Sequence, residues 1–436
     1  MSLEELFKGI ALGMDYSLYG LDFNPFPAAG VTGEVTSLSD AENVLRRFCA
    51  DIRIEEEKQI VKTYVAVAYN APHIEGKAAH SWIQGRWRVG KSILLIHLWH
   101  SLRTSASLKD VVSVYVPKPR YGFIRSIYHY FMLEYLGTGF FDQVADRLVT
   151  YLIERYFDEI INKDWFEIQA RTREWGKDDL IKQLKNRTLR PIDIADGIKM
   201  DRFTDRARTE LPALKIVSQR IIDILTDYTM ETVRRERELL ELENTVKSEL
   251  LADHVVSLFK ACVNQERAGF TGGNKLVYLL LDDVEDMVNL WGSIKARKEA
   301  DTLVSFLDRM DSHLSVLGTM HPDVIMEFKE SHPRLAGRSS ADPLNFKFIE
   351  VEALKQPKDT FTVVTYILST ARKKEFKPPY DTYPFRDDAV QYLHDHFRGI
   401  LGEMLPSFNE LLNRGIEKGG VEIDKTFVET MQRRQT

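Results

Sequence analysis

Cysteine is all but missing. Cys49 and Cys262 stand far apart, with no metal-ligand company beside either. That excludes a disulfide scaffold and a thiolate metal site, and it fits a reducing compartment. No apolar run approaches the ~20 residues needed to cross a bilayer. The start, Met1-Ser2-Leu3-Glu4-Glu5, is acidic and lacks the basic head of a secretory signal. The expectation is a soluble, cytoplasmic chain with no membrane partner. A basic bias is lacking too: Lys and Arg number 59 against 65 Asp and Glu. Any contact with nucleic acid must therefore come from a local patch. What is present is ordinary apolar content over 436 residues, enough for two or three domains around a large core.

One octapeptide stands out. Residues 85–92 read Gly-Arg-Trp-Arg-Val-Gly-Lys-Ser, the phosphate-loop pattern GxxxxGK[ST]. In such a loop the glycines let successive backbone N–H groups point inward as an anion nest. The lysine reaches the β- and γ-phosphates, and the hydroxyl ligates Mg²⁺. Gly85 and Gly90 are thus assigned to loop shape, Lys91 to phosphate charge and Ser92 to the metal. Arg86, Trp87, Arg88, Val89 and Ile93 complete the stretch expected to contact ATP, and the two arginines and the tryptophan are bulky where many such loops carry small residues. The dense apolar run from Ile93 to Trp99 reads as a buried helix whose N-terminus faces the phosphates. Before the loop lies only the short strand Ser81–Gln84, while a stronger strand pattern sits upstream at Tyr64–Tyr69. The bland alternative is a glycine turn with no ligand.

A second element bears on that choice. Residues 276–286 read Leu-Val-Tyr-Leu-Leu-Leu-Asp-Asp-Val-Glu-Asp. A continuous apolar run ending in paired acids is the signature of a buried parallel strand that delivers carboxylates at its C-terminal end. In this Walker B arrangement Asp282 would hold Mg²⁺, and Asp283 would orient or deprotonate the attacking water, with Glu285 as a fallback base. By itself the run also fits a core strand ending in a solvated acidic turn. Joined to the phosphate loop, it makes the chain an ATP-binding domain.

Further strands are expected at Val111–Val116, Leu314–Thr319 and Asn345–Glu350, alternating with helices. That alternation predicts an α/β fold of the P-loop NTPase type, a parallel sheet sandwiched by helices. Residues 1–60 read as an N-terminal extension and lead-in helix, 61–350 as the ATPase core and 351–436 as a C-terminal helical lid. The core is interrupted by a polar helical insertion at 138–268, whose longest helix is expected over roughly Ala213–Val263. The charge run Arg234-Arg235-Glu236-Arg237-Glu238 within it reads as a solvated helix face or as a DNA- or partner-binding helix.

The succession of Asn24-Pro25-Phe26, phosphate loop, strand, aromatic helix and Leu279-Leu280-Leu281-Asp282-Asp283, then Gly318-Thr319 closing a strand, an arginine-bearing loop and a small helical domain, resembles one AAA+ lineage. It is the origin-recognition and ExeA-like branch, which includes ATPases of DNA transposition. The resemblance spans roughly residues 20–137 and 270–430.

It implies that Thr319, or His321 two residues on, positions the water with Asp283. Arg334 and Arg338 would be arginine fingers offered to a neighbouring subunit's γ-phosphate. A lid arginine is expected after the glycines near Phe397–Pro406 and is missing there, leaving Arg398 or Arg414 as substitutes. Asp283 is one methylene shorter than the usual glutamate, which predicts slow turnover. A C-terminal winged-helix DNA reader of the origin-recognition kind is not expected after the lid. The implied function is an ATP- and Mg²⁺-dependent homo-oligomeric ATPase acting on DNA or a DNA-bound complex, with ATP at subunit interfaces controlling assembly. The alternative is a nucleotide-switched signalling or defence NTPase whose 138–268 insertion binds a protein partner.

Overall fold

The computed structural model describes residues 14–28, 35–47, 54–70, 80–119, 122–245, 247–284, 294–310, 313–324 and 346–433. Its centre is one parallel sheet of β1 (His80–Gln84), β2 (Val111–Val116), β3 (Leu276–Leu281), β4 (Leu314–Met320) and β5 (Phe346–Glu350), in the order β2-β3-β4-β1-β5. The chain leaves β1 in one direction, for β2. It returns through β3 to β4 at the side of β1, and from there steps the other way to β5. Adjacent strands whose connections diverge open a crevice at their carboxyl ends. Here those strands are β1 and β4, paired from His80↔Val316 to Gln84↔Met320.

Strand side chains alternate between faces, and the buried residues sort accordingly. Leu276, Tyr278 and Leu280 of β3 join one core with α3 (Lys91–Thr104), together with α1 (Leu38–Arg47) and α2. Helix α2 comprises Ile54–Ile60, a π turn Val61–Val65 and Ala66–Asn70. Val277, Leu279 and Leu281 face the other core, with α4 (Phe123–Tyr135) and α5 (Phe140–Arg155). A sheet buried on both faces explains why β3 is apolar throughout.

The strand pattern at 64–69 is helical. Ile60, Tyr64, Val65 and Ala68 are the buried residues, a spacing of three and four that a helix provides and a strand cannot. Tyr278 Oη donates to the Val65 carbonyl at 2.7 Å, so the sheet partners a carbonyl of the π turn. The single long helix expected over 213–263 is divided into Gln219–Thr226, α6 (Thr232–Thr245) and α7 (Ser248–Cys262). The Ser218 hydroxyl caps Ile221 N–H, and the Asp227 carboxylate accepts from the Thr229 N–H and hydroxyl. Local side-chain caps of this kind compete with helix continuation. Helix α7 packs on α4 and on α8 (Ile294–Met310), and one apolar cluster runs from the sheet through α7 into residues 141–228.

The exposed edge of the sheet, on β2, is sealed by α4. Tyr135 Oη accepts the Ser113 N–H at 3.1 Å and donates to the Ser113 carbonyl at 3.2 Å, and Glu134 accepts the Tyr115 N–H at 2.8 Å. Unpaired edge groups otherwise invite strand addition.

After β5, α9 (Pro357–Ala371), α10 (Asp387–His396), α11 (Leu401–Glu417) and α12 (Lys425–Gln432) enclose a separate core. Residues 14–28, read from sequence as part of the lead-in, contribute Tyr19, Leu21 and Phe26 to it. Leu21 bridges Arg372, Asn24 Nδ2 donates to the Asn409 carbonyl at 3.1 Å, and Tyr19 Oη donates to the Val421 carbonyl at 2.6 Å. Helix α1 packs chiefly on α3 beside the sheet and touches α9 as well.

Candidate functional site

The octapeptide joins the C-terminal end of β1 to α3, at the mouth of the β1–β4 crevice. Two positive-φ residues turn the chain, Arg88 at 64° and Gly90 at 105°. The second caps α3 in a left-handed conformation that glycine adopts at least cost. Gly85 is required for space: a Cβ there would lie 2.4 Å from the Val351 carbonyl oxygen. Lys91 is buried, and its ammonium donates to the carbonyls of Gly85 (2.7 Å) and Arg86 (3.1 Å). The lysine thus spans the loop it belongs to. Val89 is buried beneath, whereas Arg86, Trp87 and Arg88 are exposed.

Asp282 follows β3 and is buried within hydrogen-bonding reach of three elements. Thr319, on β4, donates to its Oδ1 at 2.6 Å, Tyr115, on β2, donates to Oδ2 at 3.0 Å, and the Asp283 N–H reaches Oδ1 at 3.1 Å. The Ser92 hydroxyl is close enough to lower the pKa of this carboxyl as a donor, which sets the loop serine beside the strand aspartate. Burial pushes the Asp282 carboxyl above its usual range, opposed by bonds from Thr319, Ser92, Tyr115 and Asp283 that favour the charged form. Asp283 adopts a left-handed φ of 49°, and its N–H is shared with Thr319 Oγ1 at 3.0 Å. Thr319 therefore holds both acids.

A phosphate loop at the end of β1 and an acid pair at the end of β3, with β4 and its threonine between them, sit at one switch point. The fold is that of an α/β P-loop NTPase. No family model matches the chain, and no curated protein matches it. Among solved structures, Cdc6p from Pyrobaculum aerophilum matches with a TM-score of 0.36 and 12% identity. The match covers 85% of this chain and 63% of that one, less than two thirds of its length. At that score and identity the likeness carries no weight, and the fold rests on the strand order and the loop.

His321 lies just past Thr319, its ring edge-on to Trp87 with centroids 6.0 Å apart. Burial, with the charges of Lys91 and Arg86, lowers its pKa below the usual histidine range, against an opposing pull from Asp323. The structure thus brings His321 to the loop's outer side and Thr319 to the acids. Ile93 packs against the lid core, and the Gly402 N–H at the start of α11 donates to the Arg88 carbonyl at 2.9 Å. Helix α11 therefore rests directly on the phosphate loop. Arg414 is engaged by Glu410 and Glu417 of its own helix. Arg398 is exposed at a cleft of about 470 Å³ between Leu354 and His394. Arg334, Arg338 and Glu285 lie outside the described residues.

Tyr115 is the site residue missed in sequence. Nothing in Val-Val-Ser-Val-Tyr-Val separates it from core; only the strand order places it beside Asp282.

The residues fit a magnesium-bound nucleotide. The ion prefers one or two carboxylates completed by substrate phosphates and water, and Asp282 with Ser92 is a donor set of that kind. Among the described residues no group of three or more His, Cys, Asp or Glu offers a site made by protein alone.

Proposed function

We propose that the chain is an AAA+-like ATPase that binds ATP with Mg²⁺ and hydrolyses it. The observation that supports this most directly is the meeting of Ser92, Asp282 and Thr319, contributed by the loop, β3 and β4, a few residues from the buried Lys91. On nucleotide binding the Lys91 ammonium would exchange the Gly85 and Arg86 carbonyls for phosphate oxygens, a stronger charge-assisted bond. The N-terminus of α3 supplies N–H groups to the same anion. Ser92 and Asp282 would hold Mg²⁺, which when bound neutralises charge on the β- and γ-phosphate oxygens. Asp283, fixed through its N–H by Thr319, is assigned to orient the attacking water. The finer reading follows the sequence resemblance: a homo-oligomer with ATP at subunit interfaces, acting on DNA or a DNA-bound complex.

Equilibrium binding of a fluorescent ATP analogue tests the core of this reading. Lys91→Ala is expected to abolish or severely weaken binding, and retained tight binding overturns the assignment. Asp283→Asn is expected to bind as wild type and lose turnover; unchanged hydrolysis removes Asp283 from its role. Light scattering with and without ATP and DNA tests the assembly, and a monomer under all conditions rejects it.

A further inference from the structure

Tyr115 is almost fully buried, yet its hydroxyl is spent on a carboxylate at the end of the neighbouring strand, Asp282 Oδ2, at 3.0 Å. Its ring is stacked on Trp99 of the phosphate-loop helix, centroids 5.4 Å apart and 28° between planes. Its own N–H is held by Glu134 at 2.8 Å. Ring, backbone and hydroxyl are therefore each fixed by a different element: α3, α4 and β3. An ionised carboxylate has about four lone-pair sites. Here Thr319, the Asp283 N–H and Tyr115 occupy three of them, and Ser92 is near enough to bear on the acid as a further donor.

All four can remain when a metal ion arrives, because the Ser92 hydroxyl can keep its O–H on the carboxylate while one of its two lone pairs faces the ion. Thr319 and the Asp283 N–H both lie on Oδ1 and hold one side of the carboxylate plane. Tyr115 holds the other side through Oδ2.

We propose that Tyr115 is a positioning residue for the metal site: its hydroxyl, braced by the Trp99 ring, fixes the rotation of the Asp282 carboxylate so that a magnesium ion entering beside Ser92 meets an oxygen already in place. This rests on the reading of Ser92 and Asp282 as the metal pair. Partners that orient a ligating carboxylate typically matter 10–100-fold in metal affinity or activity.

The test is a Mg²⁺ titration of ATPγS binding to the full chain, paired with binding in EDTA and with thermal melting. For Tyr115→Phe, metal-free nucleotide affinity is expected to equal wild type. The half-saturating Mg²⁺ concentration is expected to rise about 10–100-fold. A purely structural role would lower the melting temperature and weaken binding with and without metal alike. If Tyr115→Phe fails to fold, Trp99→Leu, which loosens the ring without touching the carboxylate, is expected to raise the Mg²⁺ requirement in the same direction. An unchanged requirement in whichever variant folds overturns the inference, while wild-type Mg²⁺ dependence shows that the metal reading survives. Wild-type binding that ignores Mg²⁺ overturns both.

Discussion

Replacing Thr319 by valine exchanges one hydroxyl for a methyl of similar size. Thr319 is fully buried. Its hydroxyl donates to Asp282 Oδ1 at 2.6 Å and accepts the Asp283 N–H at 3.0 Å. Valine keeps the β-branched shape a strand favours, so no cavity opens. A hydrogen bond to a charged group contributes about 1.5–3 kcal/mol, and a buried N–H left unpaired costs about 1–3 kcal/mol. The Asp283 N–H keeps a second acceptor, Asp282 Oδ1, at 3.1 Å, so the second cost falls at its low end and the sum is about 2–4 kcal/mol. The apo chain should melt measurably lower. If a third to a half of that loss reappears as misorientation of Asp283 in the transition state, single-turnover hydrolysis slows about tenfold, since each ~1.4 kcal/mol is a decade in rate. Thr319→Ser keeps the hydroxyl and deletes one methyl, a loss of about 1 kcal/mol, and should turn over near the wild-type rate. A Thr319→Val protein that melts with wild type and hydrolyses ATP at the wild-type rate would refute the claim that this hydroxyl organises the two acids.

Two further outcomes are expected. Gly402→Ala places a Cβ 2.5 Å from the Arg88 Cβ, so the start of α11 must lift from the phosphate loop; nucleotide affinity should fall several-fold with the sheet's stability unchanged, and wild-type affinity would show that the lid contact is incidental. Glu134 is pushed up to about 8, mainly by burial, against the Tyr115 N–H, Arg103 and Trp99. An acid whose folded pKa lies above its ordinary value of 4.5 stabilises the fold most below that value and loses this contribution as pH rises through about 8. Glu134→Gln, neutral throughout, should therefore flatten the fall in melting temperature between those limits, and an unchanged slope would mean that Glu134 is ionised in the fold.

The parts of the site legible in sequence were those carried by contiguous residues. Gly85–Ser92 and Leu276–Asp283 each announce a conformation and a chemistry within eight residues. The fold class followed because strands buried on both faces are apolar throughout and alternate with helices. Contacts made by topology were not legible. Tyr115 and Asp282 are 167 residues apart, and a tyrosine inside an apolar strand gives no sign that its hydroxyl has a carboxylate partner. The Tyr64–Tyr69 run misled because small and β-branched residues at helical spacing also alternate by chance over six positions. Tyr19, Leu21 and Phe26 were unreadable as lid core for a similar reason: their partners, Arg372 among them, lie hundreds of residues away.

That last arrangement has a mechanical consequence. The C-terminal helical body is joined to the sheet domain by two crossings of the chain, one running from residue 28 to α1, the other from β5 to α9. A body on one tether can swing and twist in any direction; a body on two is confined largely to rotation about the line through both. Of the two, the first leads to α1, which packs on the phosphate-loop helix, and the second leaves the strand next to β1. A swing of this body about that line would change how closely Gly402 at the start of α11 rests on Arg88 of the phosphate loop.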